Sequence, residues 1–295
     1  MTKPTVCLRD EIIAVIVTLP AMRPSSVHLL ELVQNPDHDI EKLVDALEFD
    51  PGLTANLLRW ANSAYFGGVH QITSVRDAAV RLGTSQMGNL ITASCAAPVI
   101  GKRIVGYGLA PGSLLDHSMM VAIGTNVIAK ACKAEPPSHT FTAALLHDIG
   151  KIALGPFIEK QGGAVEELAR KEELPFDEAE RLTLGIDHQE VGALLLKEWN
   201  IPEPIVEAVR WHHQPSGHEV EKLAVDLVHA AEILTLHMGT ESGIDGEQYR
   251  LDEQASMRLG LDESSYGTII ETMTAEMDTL RELLSSGSGA KTTTR

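Results

Sequence analysis

Apolar residues recur at helical spacing along nearly the whole chain. In residues 39–47 they fall at positions i, i+3, i+4 and i+7, which predicts an amphipathic helix. Pro51 opens the next apolar run, and Ser74 stands three residues before Asp77, as is typical of helix starts. Gly83 is expected to end the helix that begins at Ser74, with a further helix after it. The same spacing predicts helices over residues 113–132, 140–154, 164–171, 176–184, 188–199, 204–213, 219–238 and 262–284.

Two segments lack this period, and they divide the chain. Residues 100–112 contain four glycines and a proline, which predicts a connection between two helical lobes. Residues 239–246 are rich in glycine and acids and are expected to loop outward. No useful length of sequence alternates apolar and polar residues as a strand does. The sequence therefore predicts an all-α protein with an N-terminal lobe over residues 1–105, a second lobe over 106–240, a helical extension over 241–284 and a flexible tail over 285–295.

Charge and composition narrow the class of protein. The net charge is −17, of which residues 1–110 contribute −1 (9 Lys/Arg, 10 Asp/Glu) and residues 111–295 contribute −16 (15 against 31). An acidic surface repels phosphate backbones, so a nucleic-acid partner is not expected. No membrane span, of about 20 apolar residues, and no signal peptide is expected. Three cysteines without CxxC spacing argue against disulfides or a zinc knuckle, so we expect a cytoplasmic protein.

The adjacent pair His147-Asp148, at the end of an apolar run, is the first candidate for chemistry. Neither side chain is buried cheaply without a partner. An imidazole nitrogen and a carboxylate able to bridge two cations suit iron, manganese, zinc or nickel. Lys151 shares a helix face with Asp148 and could balance its charge or hold a phosphate oxygen. Taken alone, the pair also fits a core histidine bonded to a carboxylate.

Residues of the same chemical types recur on other predicted helices. Glu232 interrupts an apolar run, so it needs a partner such as a metal ion or a ligating histidine. Gly192, in the helix that His188 opens, would let another backbone approach closely. The candidates outside the first pair are His117, His188, His212, His213 and Glu232.

Other polar residues favour structural roles. Asn62 is predicted to satisfy backbone groups near a helix end, and Tyr65 and Phe66 to fill the seam between the lobes. His229 is interpreted as a surface or packing residue. The acidic stretch 166–180 is interpreted as a solvated helix face.

Taken together, these residues resemble a known family. The His, Asp and Glu candidates, in their order along the chain, resemble the HD superfamily of metal-dependent phosphohydrolases. In the first half, DPGL (50–53), LLRWANSAYF (57–66) and ITSVRDAAVRLG (72–83) resemble the HDOD (HD-related output domain) branch. The likeness covers about residues 19–215. The sequence departs from the related HD-GYP phosphodiesterases, because residues 214–218 lack a Gly-Tyr-Pro signature and Glu232 replaces the usual aspartate.

The resemblance implies an all-helical bacterial signalling module whose C-terminal lobe is an HD-type helical bundle. That lobe is expected to hold one or two divalent transition-metal ions, with iron expected first and manganese, zinc or nickel as alternatives. The expected ligands are His117, His147, Asp148, His188, His212, His213 and Glu232. A signalling protein or a small molecule, such as a nucleotide, is the expected partner, and the oligomeric state is left open. One alternative is a metal-dependent phosphohydrolase acting on a nucleotide or cyclic dinucleotide, with Lys151 stabilising phosphoryl charge; another is a structural site without metal.

Overall fold

The computed structural model describes residues 8–19, 24–34, 40–48, 50–62, 72–217, 222–239, 243–246 and 248–286. These residues form α-helices with no β-strand among them, apart from one isolated bridge between Ile104 and Leu109. The predicted all-α class is confirmed. The helices are α1 (Leu8–Ile16), α2 (Pro24–Gln34), α3 (Ile40–Glu48), α4 (Pro51–Ala61), α5 (Val75–Ile100), α6 (Ser113–Ala131), α7 (Thr140–Leu146), α8 (Gly150–Lys160), α9 (Ala164–Glu172), α10 (Phe176–Leu184), α11 (His188–Glu198), α12 (Glu203–Trp211), α13 (Lys222–His237), α14 (Glu253–Leu259) and α15 (Glu263–Ser286).

Local sequence signals set several of these bounds. The Ser74 hydroxyl caps α5 by accepting the backbone N–H of Asp77. Gly83, with φ 72° and ψ 176°, kinks α5, so the predicted break occurs without an intervening loop. The connection predicted over residues 100–112 is confirmed between α5 and α6, where it forms one short 3-10 helix, Val105–Tyr107.

Asn62 has the structural role predicted for it. Its amide nitrogen donates to the carbonyls of Leu58 and Ile72, and its Oδ1 accepts the backbone N–H of Ile72. The side chain therefore ties the end of α4 to the segment that leads into α5. Tyr65 and Phe66, predicted to fill the seam between the lobes, lie outside the described residues.

Helix α6 lies at the centre of the second lobe. It packs against α7, α13 and α15, and almost all of its residues are buried. A side chain at Gly124 would meet Met273 Cε at 2.7 Å and Ala231 Cβ at 3.0 Å, so glycine permits this close packing. Helix α5 of the first lobe packs on α7, where the Thr92 and Thr142 hydroxyls lie 3.1 Å apart. The boundaries proposed for the lobes stay a prediction, and α1 packs on α8 and α11 of the second lobe.

The helix predicted over residues 140–154 is interrupted at His147-Asp148. Helix α7 ends at Leu146, and the chain then turns through i→i+3 hydrogen bonds before α8 begins at Gly150. By length and composition Thr140–Lys160 is a candidate membrane span, but it contains Asp148 and Lys151, and 89% of its apolar stretch is buried inside the fold. The apolarity of these two helices thus serves the protein core.

Helices α8 and α11 approach to backbone contact, as predicted from Gly192. A Cβ at Gly150 would lie 1.9 Å from the carbonyl oxygen of His188 and 2.7 Å from the nitrogen of Gly192. Only glycine fits at position 150. This contact brings the start of α11 next to the turn that carries Asp148.

Two predictions near the C-terminus are corrected. Residues 239–246 were predicted to loop outward, but residues 243–246 fold back: Asp245 is buried, and the Ile244 N–H donates to the Tyr107 carbonyl at 3.1 Å. The segment folds back because Lys151 is buried and forms an ion pair with Asp245. Residues 240–242 lie outside the described residues. Residues 285 and 286, predicted to belong to the flexible tail, are part of α15; the rest of the predicted tail lies outside the described residues.

Candidate metal centre

The seven side chains predicted as metal ligands converge at one point of the second lobe. They come from five parts of the fold, and all are buried. His117 lies on α6, His147 and Asp148 on the turn between α7 and α8, His188 at the start of α11, His212 and His213 at the end of α12, and Glu232 on α13.

Asp148 lies in the middle of the cluster. Its Oδ2 is 3.3 Å from His147 Nε2 and 3.7 Å from His117 Nε2. Its Oδ1 is 3.5 Å from His188 Nε2 and 3.9 Å from His212 Nε2. Each carboxylate oxygen therefore faces a different pair of imidazoles, which is the arrangement that bridging of two cations requires.

Glu232 on α13 faces the same imidazoles with its two carboxylate oxygens. Its Oε1 is 3.8 Å from His147 Nε2, while Oε2 is 3.8 Å from His212 Nε2 and 3.5 Å from His213 Nδ1. Burial raises the pKa of Glu232 to about 8, against the opposing effect of His147. A cation in the centre would favour its ionised form.

Several buried polar atoms of the cluster have no hydrogen-bond partner among the described residues. Leaving such a group unsatisfied costs about 1–3 kcal/mol, so native proteins seldom do it. Imidazole nitrogens and carboxylate oxygens are ligands for transition-metal ions, so this residue set fits a metal centre. The atoms are both ring nitrogens of His117, His147 Nε2, Asp148 Oδ1, His212 Nε2, His213 Nδ1 and Glu232 Oε2.

Hydrogen bonds on the far ring nitrogen orient three of the imidazoles. His147 Nδ1 lies 2.6 Å from the Ala144 carbonyl, and His212 Nδ1 lies 2.7 Å from the Val209 carbonyl. With a proton on Nδ1, each ring donates to that carbonyl and presents Nε2 to the centre. His229 supports the same region from behind, since its Nδ1 is 2.7 Å from the His212 carbonyl. Its predicted packing role is confirmed.

Glu180 on α10 orients the third imidazole. Its role corrects the prediction that residues 166–180 form a solvated helix face. Its Oε2 accepts the backbone N–H of His188 and faces His188 Nδ1, both at 2.8 Å, while Oε1 accepts the Tyr107 hydroxyl at 2.5 Å. Burial opposes protonation of His188, but Glu180 raises its pKa to about 10. The stretch 166–180 is therefore not wholly a solvated face, because Asp177 and Glu180 are buried. Phe176 and Leu184, each four residues from Glu180, are the signal that places it on the inner face of α10.

Lys151 is buried beside the cluster and neutralised by two carboxylates. Its Nζ lies 2.6 Å from Asp148 Oδ2 and 2.5 Å from Asp245 Oδ2. Burial opposes its charge, but Asp148 and Asp245 hold the pKa of Lys151 well above its usual value. Lys151 thus balances Asp148, one of the two roles predicted for it. Sequence reasoning missed Asp245.

Comparisons with known proteins agree with this architecture. A curated relative from Treponema pallidum (strain Nichols), itself uncharacterised, is 24% identical over 212 residues, which is 71% of this chain and 40% of the relative. A solved HDOD domain protein of unknown function from Geobacter sulfurreducens superposes with a TM-score of 0.72 at 24% identity, over 97% of each chain. A solved protein from Shewanella amazonensis SB2B, provisionally named a phosphohydrolase, gives a TM-score of 0.69 at 22% identity, over 92% of this chain and 97% of the other.

At these identities the solved structures show the shared fold and no more. The HDOD domain family model matches residues 19–215, which is more than half of the sequence. The match runs from α2 through α12 and includes every candidate ligand except Glu232. The chain belongs to the HDOD family.

Proposed function

We propose that this protein is a regulatory module that holds one or two divalent transition-metal ions around Asp148 and acts by binding a small molecule or a signalling protein. The observation that carries the metal is the set of buried, unpartnered ligand atoms that face one point. An apolar or fully hydrogen-bonded core would avoid that arrangement.

The ligand atoms fall into two groups, each with all its members within 4.8 Å of one another. His188, His212 and His213 form one group; His117, His147, Asp148 and Glu232 form the other. The second oxygen of Asp148 faces the first group, so a bridged pair of ions is the arrangement we propose. Five imidazoles with two carboxylates suit iron, with manganese, zinc or nickel as alternatives.

Closure of the centre supports a regulatory rather than a catalytic role. His147, Asp148, His188 and His212 are fully buried, and the Lys151 ammonium is already held by two carboxylates. A phosphate substrate would have to displace one of these carboxylates before it could bind the Lys151 ammonium. The proposed regulatory role needs no catalysis: it requires only that the protein bind a small molecule or a signalling protein and change conformation.

A metal-dependent phosphohydrolase acting on a nucleotide or cyclic dinucleotide is the second candidate. The complete ligand set favours it, since bound ions of this class acidify a coordinated water and polarise a phosphoester. The provisional name of the Shewanella relative points in the same direction. In this candidate Lys151 would stabilise charge on the phosphoryl oxygens.

Metal analysis tests the proposal directly. We expect the purified protein to carry about one or two equivalents of metal, and the Asp148→Ala variant to lose it. The His237→Ala variant, which removes an exposed histidine of α13, is the matched control and should keep the metal. Less than about a tenth of an equivalent in the unaltered protein would refute the metal centre, and with it both functions.

A phosphodiesterase screen on the metal-loaded protein separates the two functions. Turnover that Asp148→Ala abolishes and His237→Ala preserves would establish the enzyme. Inactivity of the fully loaded protein on mononucleotide and cyclic dinucleotide esters would leave the regulatory module.

A further inference from the structure

A segment between α13 and α14 covers the metal centre. We call residues 243–246 and 248–252 the strap. Its Tyr249 ring stacks on the His213 ring, with centroids 4.0 Å apart and planes at 6°. The Tyr249 hydroxyl accepts the backbone N–H of Asp177 at 3.1 Å, which fixes the ring in place. The strap thus closes the side of the cluster on which His213 lies.

Hydrogen bonds fasten both ends of the strap. At the first end the Ile244 N–H donates to the Tyr107 carbonyl at 3.1 Å. At the other end the Asp252 N–H donates to His229 Nε2 at 2.9 Å, and the Ser216 hydroxyl donates to Asp252 at 2.7 Å. These hydrogen bonds attach both ends of the strap to residues that lie around the metal centre.

Asp245 supplies the strap's charged contact. The carboxylate is 3% exposed and lies 2.5 Å from Lys151 Nζ, whose other contact is the central Asp148. A buried ammonium is an ordinary site for a phosphate or carboxylate oxygen. The Asp245 carboxylate therefore contacts the Lys151 ammonium in the way that the phosphate or carboxylate group of a ligand would.

A cavity reaches the strap from the outside. It has a volume of about 240 Å³ and lies between α9, the start of α10 and the strap, with Asp245 among its lining residues. Its wall contains one exposed cation, Arg170, and one exposed carboxylate, Glu166, together with Phe176 and Gln248. Because Asp245 lines the cavity and also contacts Lys151, this carboxylate separates the cavity from the metal centre.

We propose that the strap is an autoinhibitory cover, and that an anionic, phosphate-bearing ligand enters this cavity and displaces the Asp245 carboxylate from Lys151. The inference rests on the proposed function in one respect, because the centre that the strap covers is the proposed metal centre. Displacement of Asp245 removes the ionic contact that holds the strap to Lys151. The ligand then couples its own binding to exposure of the centre.

Binding of inorganic phosphate tests the displacement. The Asp245→Asn variant keeps the shape of the side chain and removes its charge, and Glu253→Gln removes an exposed carboxylate just beyond the strap as the matched control. We expect Asp245→Asn to bind phosphate at least about tenfold more tightly than Glu253→Gln in calorimetric titration, since it removes a charged competitor. The double variant K151M/D245N should lose that gain. Equal affinity of D245N and E253Q, or a gain that survives K151M, overturns the proposal.

Hydrogen exchange supplies a second readout that needs no ligand. The Ile244 and Asp252 amides should exchange several-fold faster in Asp245→Asn than in Glu253→Gln, because the strap has lost its ionic contact with Lys151. Equal exchange rates in the two variants would overturn the proposal that Asp245 holds the strap in place. Both measurements are made on metal-loaded and on chelator-treated protein, with the metal content recorded. Absence of metal in the untreated protein refutes the proposed metal centre, whereas the D245N comparison on the same samples decides the strap independently.

Discussion

Glu180 gives the sharpest test of how the metal centre is built. The substitution Glu180→Gln keeps the side-chain shape: one oxygen can still accept from His188, and the amide can donate to the Tyr107 hydroxyl. What it removes is a buried negative charge 2.8 Å from His188 Nδ1. The variant therefore isolates the electrostatic contribution of a residue that touches a proposed ligand without being one.

The expected loss of metal affinity is about 10- to 100-fold, the usual effect of losing a carboxylate behind a ligating histidine. That corresponds to about 1.4–2.8 kcal/mol of binding free energy. The carboxylate also attracts the proton of His188, and it raises the pKa of that imidazole to about 10. A divalent ion carries twice the charge of a proton, so loss of the carboxylate weakens metal binding more than it relieves proton competition.

Competition with a chelator of known affinity measures the effect, with Glu178→Gln as the control. Glu178 lies on the same helix but is exposed, so its replacement should leave affinity unchanged. Glu180→Gln should also flatten the dependence of affinity on pH above the ordinary histidine pKa, because the pKa of His188 falls. Metal affinity in Glu180→Gln equal to that in Glu178→Gln, or an unaltered pH dependence, would refute the reasoning.

Four further predictions follow, two of them from His188 and one each from Gly150 and Asp226. Because a metal ion must displace the proton of His188, whose pKa is raised to about 10, apparent affinity should rise between pH 6 and 9 in chelator competition, and a flat profile would contradict this. In metal-free protein the raised pKa of His188 increases the free energy of unfolding, and this contribution is fully present below pH 6.5 and is lost as pH rises toward 10. Urea melts at several pH values can measure it. Gly150→Ala should lower the free energy of unfolding by about 1–3 kcal/mol or more. The control Gly267→Ala, with open space around it, should raise the free energy of unfolding by up to about 1 kcal/mol. Equal effects of the two substitutions would count against the backbone contact between α8 and α11. Asp226→Ala should cost about 1.5–3 kcal/mol in the same melts by removing both hydrogen bonds from Arg258, and no loss would show that the pair adds nothing.

Helices with a clear apolar period were predictable, and a short helix without one was not. The bounds of α10 were predicted as observed, since its apolar spacing runs from Phe176 to a glycine after Leu184. Helix α14 was missed although Asp252 caps it and Gly260 ends it, because its seven residues are too few to show a period. The break at His147-Asp148 was missed for another reason. His147 and Ile149 keep helical dihedral angles, and the hydrogen bonding tightens from i→i+4 to i→i+3.

The candidate ligands could be predicted because residue type and order carry the information. A histidine or an acid inside an apolar helix is costly, so each such residue stands out in the sequence, as Glu232 does on α13. Their supporting partners do not stand out. Glu180 lies among several acids on its helix, and only its spacing from Phe176 and Leu184 separates it from solvated neighbours such as Glu178. Asp245 pairs with Lys151 across 94 residues of chain, and no local pattern encodes that contact.

The acidity of the second half takes on a different meaning once burial is known. Seven of its 31 acids are buried in the described residues, namely Asp148, Asp177, Glu180, Asp187, Asp226, Glu232 and Asp245. Six of them contact a lysine, an arginine or the high-pKa imidazole of His188. Glu232 contacts only His147, His212 and His213 among the described residues. Burial lowers the pKa of His212 and His213 well below the usual value; it also opposes protonation of His147, but Asp148 and Glu232 raise the pKa of that imidazole. Glu232 therefore shares the His147 imidazole with Asp148 and contacts no lysine or arginine among the described residues, and a metal ion is the cation that its neighbours are built to hold.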